Sequence, residues 1–103
     1  MLGLQTALGV AIGHSGCAPR RVIELMSWAP AAIAGLSEAH GGDIAEGRAA
    51  NLVVFDPVEK WQQSVESIVS KSVNTPYLDV SLTGKVRHVL YQGRIVVNQG
   101  GLV

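Results

Sequence analysis

The stretch KVRHVLYQGRIVVN, residues 85–98, is the strongest constraint on what this chain can fold into. Two apolar runs flank Gln92-Gly93, which has the length of a two-residue hairpin loop, and the glycine can take the positive φ that such a turn demands. Gln suits the first turn position less well than Asn, yet the pattern predicts an antiparallel hairpin. An isolated pair of strands is marginally stable in water. The hairpin therefore needs helices, or strands from elsewhere, to cover its faces.

Upstream of the hairpin the texture changes once. In LQTALGVAI, Leu4, Ala7, Leu8, Ala11 and Ile12 share one helical face, with Gly9 weakening the helix and Gly13 ending it. HSGCA reads as a loop, and Pro19 suits the first turn of a second helix whose stripe is Val22, Leu25 and Met26. Pro30 is expected to force Ala29 out of helical geometry, so SWAP marks a break before a short third helix, PAAIA, capped by Gly35. HGGD at 40–43 reads as a flexible joint. Beyond it NLVVFD, between Gly47 and Asp56-Pro57, is a continuous apolar run of the kind expected for a strand buried on both faces.

At 103 residues and 10.8 kDa the chain holds at most one domain, and a compact domain of this size buries roughly 60–70% of its unfolded surface. Hydrophobic residues make up 48% and charged ones 16%, which is too apolar for disorder and rich for a small free-standing domain. Some apolar surface is therefore expected to meet another domain or chain. Eight basic and eight acidic residues are scattered without a long run of either sign, so no nucleic-acid groove and no basic membrane face is expected. The apolar N-terminal stretch has no basic residue ahead of it and is too short to span a bilayer. A single cysteine, Cys17, allows no internal disulfide and favours a reducing compartment, with the cytoplasm as the expected location.

Residues capable of chemistry are few and poorly arranged. His14, Cys17 and His40 lack the second matching pair that a structural zinc site requires, and read as loop and surface residues. His88 alternates with Val86 and Leu90 on one face of a strand, where a histidine is ordinarily half-buried and bonded to a neighbour. His14 and Ser15 are adjacent, which aims them apart, and there is no G-x-S-x-G elbow. The glycine pairs at 41–42 and 100–101 match no phosphate-binding pattern. Glu24, Glu38, Asp43, Glu46, Asp56, Glu59, Glu66 and Asp79 form no carboxylate pair on one helix face. From the residues alone no catalytic, cofactor-binding or metal-binding residue emerges.

Three longer stretches, in order, carry a resemblance. SWAPAAIAGL at 27–36 resembles the S/T-x-N-P-A-x-x-L-G-L segment that closes the barrel in metal-dependent amidohydrolases, with Ala29 in place of Asn. GGDIAEGRAANLVVFDP at 41–57 resembles the stretch by which that superfamily re-enters its small β-sandwich. GKVRHVLYQGRIVVNQG at 84–100 is similar to its closing strands. Within the superfamily, SKSVNTPY at 70–77, with Trp61 upstream and Leu82, Gly84 and Val86 downstream, resembles the S-x-S-x-N-T-P-F stretch of bacterial-type dihydroorotases. GLQTAL at 3–8 resembles their G-L-E-T-A-L-P-L, with Gln5 for Glu and Gly9 for Pro, and Asp79 stands where they carry Gly. The Tyr-Glu-Gly element common in hydantoinases and allantoinases is missing.

The resemblance implies an α/β fragment: residues 1–40 as the last helices of a (β/α)8 barrel, and 41–103 as part of a small composite β-sandwich. It implies a parent enzyme that reversibly cyclises N-carbamoyl-L-aspartate to dihydroorotate in pyrimidine biosynthesis, with zinc held by a His-x-His and further ligands. No H-x-H occurs here, and Lys60, Lys71 and Lys85 fall in the β part, so none is expected to be a carbamylated ligand. The chain is expected to be inactive alone, to hold no cofactor of its own and to need the missing N-terminal barrel as its partner. GLQTAL is expected just after the substrate loop, shaping the barrel mouth, and NTPY at the boundary of sandwich and barrel. The alternatives are a piece of a hydantoinase- or allantoinase-type enzyme, or a non-catalytic homologue that partners aspartate transcarbamoylase. Expressed alone, such a fragment should expose apolar faces and aggregate or form homo-oligomers.

Overall fold

In the computed structural model, which describes all of residues 1–103, Gln92 and Gly93 take φ of 50° and 80°. Positive φ at both central positions is the type I′ turn that matches the twist of its flanking strands. The hairpin it joins is β2 (Ser81–Tyr91) and β3 (Arg94–Asn98). A second turn of the same kind follows at Gln99-Gly100, φ 49° and 84°, and adds a two-residue strand, β4 (Gly101–Leu102), that the sequence reading passed over. With β1 (Leu52–Gln62) the four strands form one antiparallel sheet in the order β1-β2-β3-β4.

β1 corrects an expectation. It lies at the edge of the sheet, paired on one side only, and Val53 and Val54 are 44% and 51% exposed. An apolar run marks a surface that wants covering, and in this chain nothing covers it. Nor does the strand stop at Asp56-Pro57. It continues to Gln62 through a register irregularity between Asp56 and Lys60, where Asp56 Oδ1 accepts from the N–H groups of Val58 and Glu59. Pro57 is tolerated because edge strands and bulges do not need its missing donor.

The helical part begins later than the apolar face suggested. α1 is Ala7–His14, and Leu4, 97% exposed, sits in the turn ahead of it. α2 (Pro19–Ile23) starts on its proline as expected, and α3 (Ala29–Ala34) ends at Gly35 in the left-handed conformation. There the Leu36 N–H donates to Ala31 O and the Gly35 N–H to Ala32 O, closing the helix end. Between α2 and α3 there is no break. Ala29 is helical at φ −66°, ψ −46°, and Glu24–Trp28 form a π-helical turn. The Ala29 N–H reaches back five residues to Glu24 O, so the widened turn shifts the hydrogen-bond register at the point where Pro30 would leave a donor missing.

α1 packs on β2, and the enclosed volume is small. Val22, Ala31 and Leu82 are the buried hydrophobic residues, joined by Thr6 and Gln63. The accessible surface is 7164 Å², whereas a compact monomer of this mass exposes about 5,500 Å². The radius of gyration, 14.3 Å, likewise exceeds the roughly 13 Å expected for this length.

The segment between the helices and β1 is bonded on both sides. Arg48 donates to the carbonyls of Ser37 and Asp43, while Asn51 donates to Ala39 O at 3.3 Å and accepts from the Gln92 N–H at 2.9 Å. The exit from α3 is thereby tied to the tip of the β2–β3 hairpin.

Candidate functional site

Where α1 crosses β2, two glycines let the backbones meet. A Cβ added at Gly9 would stand 3.3 Å from both Gly84 O and Leu82 Cβ. One added at Gly84, whose φ is 97°, would stand 2.9 Å from Ile12 Cδ1. Gly9 is thus not a flaw in α1 but its contact point, which explains why a poor helix former sits mid-helix. The Trp61 indole N–H donates to Gly84 O at 2.8 Å, taking up a carbonyl that the crossing would otherwise strand. Trp61, Leu82 and Gly84, residues that carried the family resemblance, therefore converge on the first helix.

On one side of this crossing the N-terminal residues and the loop between β1 and β2 are stitched together. The Leu2 N–H donates to Asn74 O at 2.8 Å, so the segment before GLQTAL rests on the SVNTPY turn. Within that turn the Tyr77 N–H bonds Thr75 Oγ1 and the Asn74 N–H bonds Ser72 Oγ, both at 3.2 Å. Gln5 bonds Ser67 O and the Val69 N–H. Gln63, 1% exposed, donates through Nε2 to Ser67 Oγ at 2.9 Å and pairs with Leu78 in a parallel bridge. Its Oε1 is buried without a partner. These elements wall a groove of about 870 Å³, bordered by residues 1–6, Leu8, Gly9, residues 61–63 and 66–70, Thr75 and parts of β2 to β4.

Glu66, Lys85 and the Met1 amine border the groove, and neither Cys17 nor any of the histidines does. His14 and Ser15 stand at the exposed end of α1, where Ser15 Oγ accepts from the Cys17 N–H at 3.1 Å. His40 stacks on Tyr91, with ring centroids 6.3 Å apart. His88 is half-buried, its Nδ1 accepting from the Gln99 N–H at 3.4 Å. Lys60 donates to Thr83 Oγ1 at 2.6 Å, and Glu24 and Glu59 pair with Arg21 and Arg87. No three His, Cys, Asp or Glu side chains converge as a metal site requires. The donor set of this chain does not fit a catalytic metal. Gln5, Gln63 and Ser67 are the residues that sequence reasoning missed: the Gln5 contacts span more than sixty positions, and Gln63 and Ser67, four apart, meet where β1 gives way to an irregular loop with no periodic signal.

Comparison with known proteins identifies the family. The amidohydrolase family model matches residues 2–96. The chain is 42% identical over 99 residues to a dihydroorotase of Sulfurihydrogenibium sp. (strain YO3AOP1), covering 93% of this chain and 23% of that protein. It is 41% identical over 100 residues to a dihydroorotase of Mycobacterium leprae (strain TN), covering 92% of this chain and 23% of the relative. Among solved structures, D-hydantoinase from Bacillus sp. AR9 superposes with a TM-score of 0.81 at 26% identity, over 93% of this chain and 22% of its own. The chain spans less than a quarter of the length of these relatives. No helix is long and apolar enough to cross a membrane. With nearly its whole length matched by the family model, the chain belongs to the amidohydrolase family.

Proposed function

We propose that this chain is the part of a dihydroorotase-type enzyme that supplies the last barrel helices, residues 1–40, and several strands of the small β-sandwich, residues 41–103. The enzyme so completed would reversibly cyclise N-carbamoyl-L-aspartate, with zinc held by residues outside this chain. The observation that carries the reading is identity: 42% and 41% to dihydroorotases against 26% to a hydantoinase, over nearly the same span. The surface excess and the bare edge of β1 support it, since both are accounted for by further strands and a barrel. In this reading the chain's contribution is geometric. It closes the barrel and holds residues 3–8 at its mouth.

The runner-up is a hydantoinase-type enzyme, favoured by the close superposition. Grafting separates the two. This chain, put in place of the matched segment of the Sulfurihydrogenibium dihydroorotase, should yield an enzyme that cyclises N-carbamoyl-L-aspartate. The same graft into the Bacillus sp. AR9 D-hydantoinase should leave hydantoin opening impaired. A folded but inactive first graft together with an active second would overturn the proposal.

A further inference from the structure

Gln5 lies in the exposed turn ahead of α1. Its Nε2 donates to Ser67 O at 3.0 Å and its Oε1 accepts from the Val69 N–H at 2.9 Å. Those two backbone groups flank Ile68. In a parallel strand pair, one residue bonds the carbonyl before its partner and the N–H after it. The Gln5 carboxamide therefore stands in for a peptide unit, in a one-residue parallel bridge to Ile68.

The same loop carries a true parallel bridge where it leaves β1, from Gln63 to Leu78. Between the two bridges, Ser67 Oγ accepts from Gln63 Nε2 at 2.9 Å and donates to Ser64 O at 3.0 Å. Side-chain chemistry suits Gln5 to this double contact, which the Glu of the resembling enzymes would make only in part. A carboxylate has no donor for Ser67 O, an ammonium has no acceptor for the Val69 N–H, and Asn is one methylene short.

We propose that Gln5 is a positioning residue, whose side chain fixes the 63–70 loop against residues 1–6 and so sets the groove wall at the barrel mouth. The inference deepens the dihydroorotase-type reading and rests on it for the catalytic consequence. The bridge itself is testable without it.

Amide hydrogen exchange of the full chain, resolved at Val69, reads the bridge directly. Gln5→Met keeps the length and removes both polar groups, and Gln5 is exposed, so the fold is not threatened. Exchange at Val69 should rise at least about five-fold over wild type at the same pH. Gln5→Glu keeps an acceptor for the Val69 N–H and at about pH 8 lacks only the donor to Ser67 O, so its loss at Val69 should be smaller than that of Gln5→Met, and smaller still at about pH 4, where a protonated carboxyl again both donates and accepts. Glu66, Lys85 and the Met1 amine border the same groove, and none of them bonds Gln5. In the dihydroorotase graft, Gln5→Met should raise KM about three-fold or more and leave kcat within about two-fold. Unchanged Val69 exchange in Gln5→Met, or identical losses for Met and Glu at both pH values, would overturn the bridge. An inactive wild-type graft would count against the enzyme reading alone, because exchange still decides the bridge.

Discussion

At the crossing of α1 over β2, Leu82 is 1% exposed, two glycine backbones touch, and an indole N–H takes up the nearest carbonyl. Along β1, Leu52, Val53, Val54 and Val58 are all at least 36% exposed, and one edge of the backbone ladder has no partner. The two regions draw on the same kinds of apolar residue. What differs is whether the chain carries both sides of the contact. The crossing does, through α1, β1 and β2, so its stability belongs to the chain itself. β1 does not: its exposed apolar residues, which alternate between the two faces of the strand, contribute only when something else arrives. Measuring one substitution in two contexts, the dilute chain alone and the dihydroorotase graft, turns this difference into a number.

The largest effect belongs to Leu82→Ala. Emptying a fully buried leucine site costs about 3 kcal/mol in unfolding free energy. The cost read by urea denaturation should be the same, within about 0.5 kcal/mol, in chain and graft, because every neighbour of Leu82 is already present. A cost appearing only in the graft would mean that the crossing is not self-sufficient, and the contrast drawn above would collapse.

Gly84→Ala comes next. Its φ of 97° is disfavoured for any side chain, and the new Cβ would meet Ile12 Cδ1 at 2.9 Å. Backbone strain and overpacking together should cost about 2 kcal/mol. The strain is local, so again both contexts should agree. A second substitution sharpens the result: Gly84→Ala combined with Ile12→Val relieves the clash but not the φ, and should recover less than half of the loss.

How far these regions can be read from sequence follows from the range of the forces involved. The β2–β3 hairpin is legible because turn chemistry acts over two residues, Gln92 and Gly93, and both take the expected conformation. Asp79 is half legible. Its departure from the glycine of the resembling family falls at φ 57°, a conformation glycine favours and Asp tolerates. The π-helical turn is not legible, since the rule that Pro30 disfavours a helical Ala29 is local, whereas the rerouted bond from Ala29 to Glu24 spans a turn and a half. The exposure of β1 is invisible for a different reason. NLVVFD records the surface the strand was selected to meet, not whether that surface lies in this chain. The candidate site divides the same way. Trp61, Leu82 and Gly84 stand out through the resemblance, while the Gln5 bridge, made by one ordinary polar residue to backbone more than sixty positions away, leaves no mark.

The smallest effect in the isolated chain is the most informative. Val54→Thr on β1 keeps side-chain shape and β-branching and adds a hydroxyl, at a position 51% exposed. Water satisfies that hydroxyl in the chain alone, so stability should change by less than about 0.5 kcal/mol. In the graft, strands outside this chain would lie against β1, and a buried hydroxyl without a partner should cost about 1–2 kcal/mol. The sign of the context difference is thus opposite to indifference at Leu82: nothing alone, a clear loss when assembled. If Val54→Thr were neutral in an active graft as well, the face of β1 that carries Val54 would remain in water even in the whole enzyme. Its apolar residues would then need another partner, and the surface excess would have to be charged to the exposed faces of α2 and α3 instead.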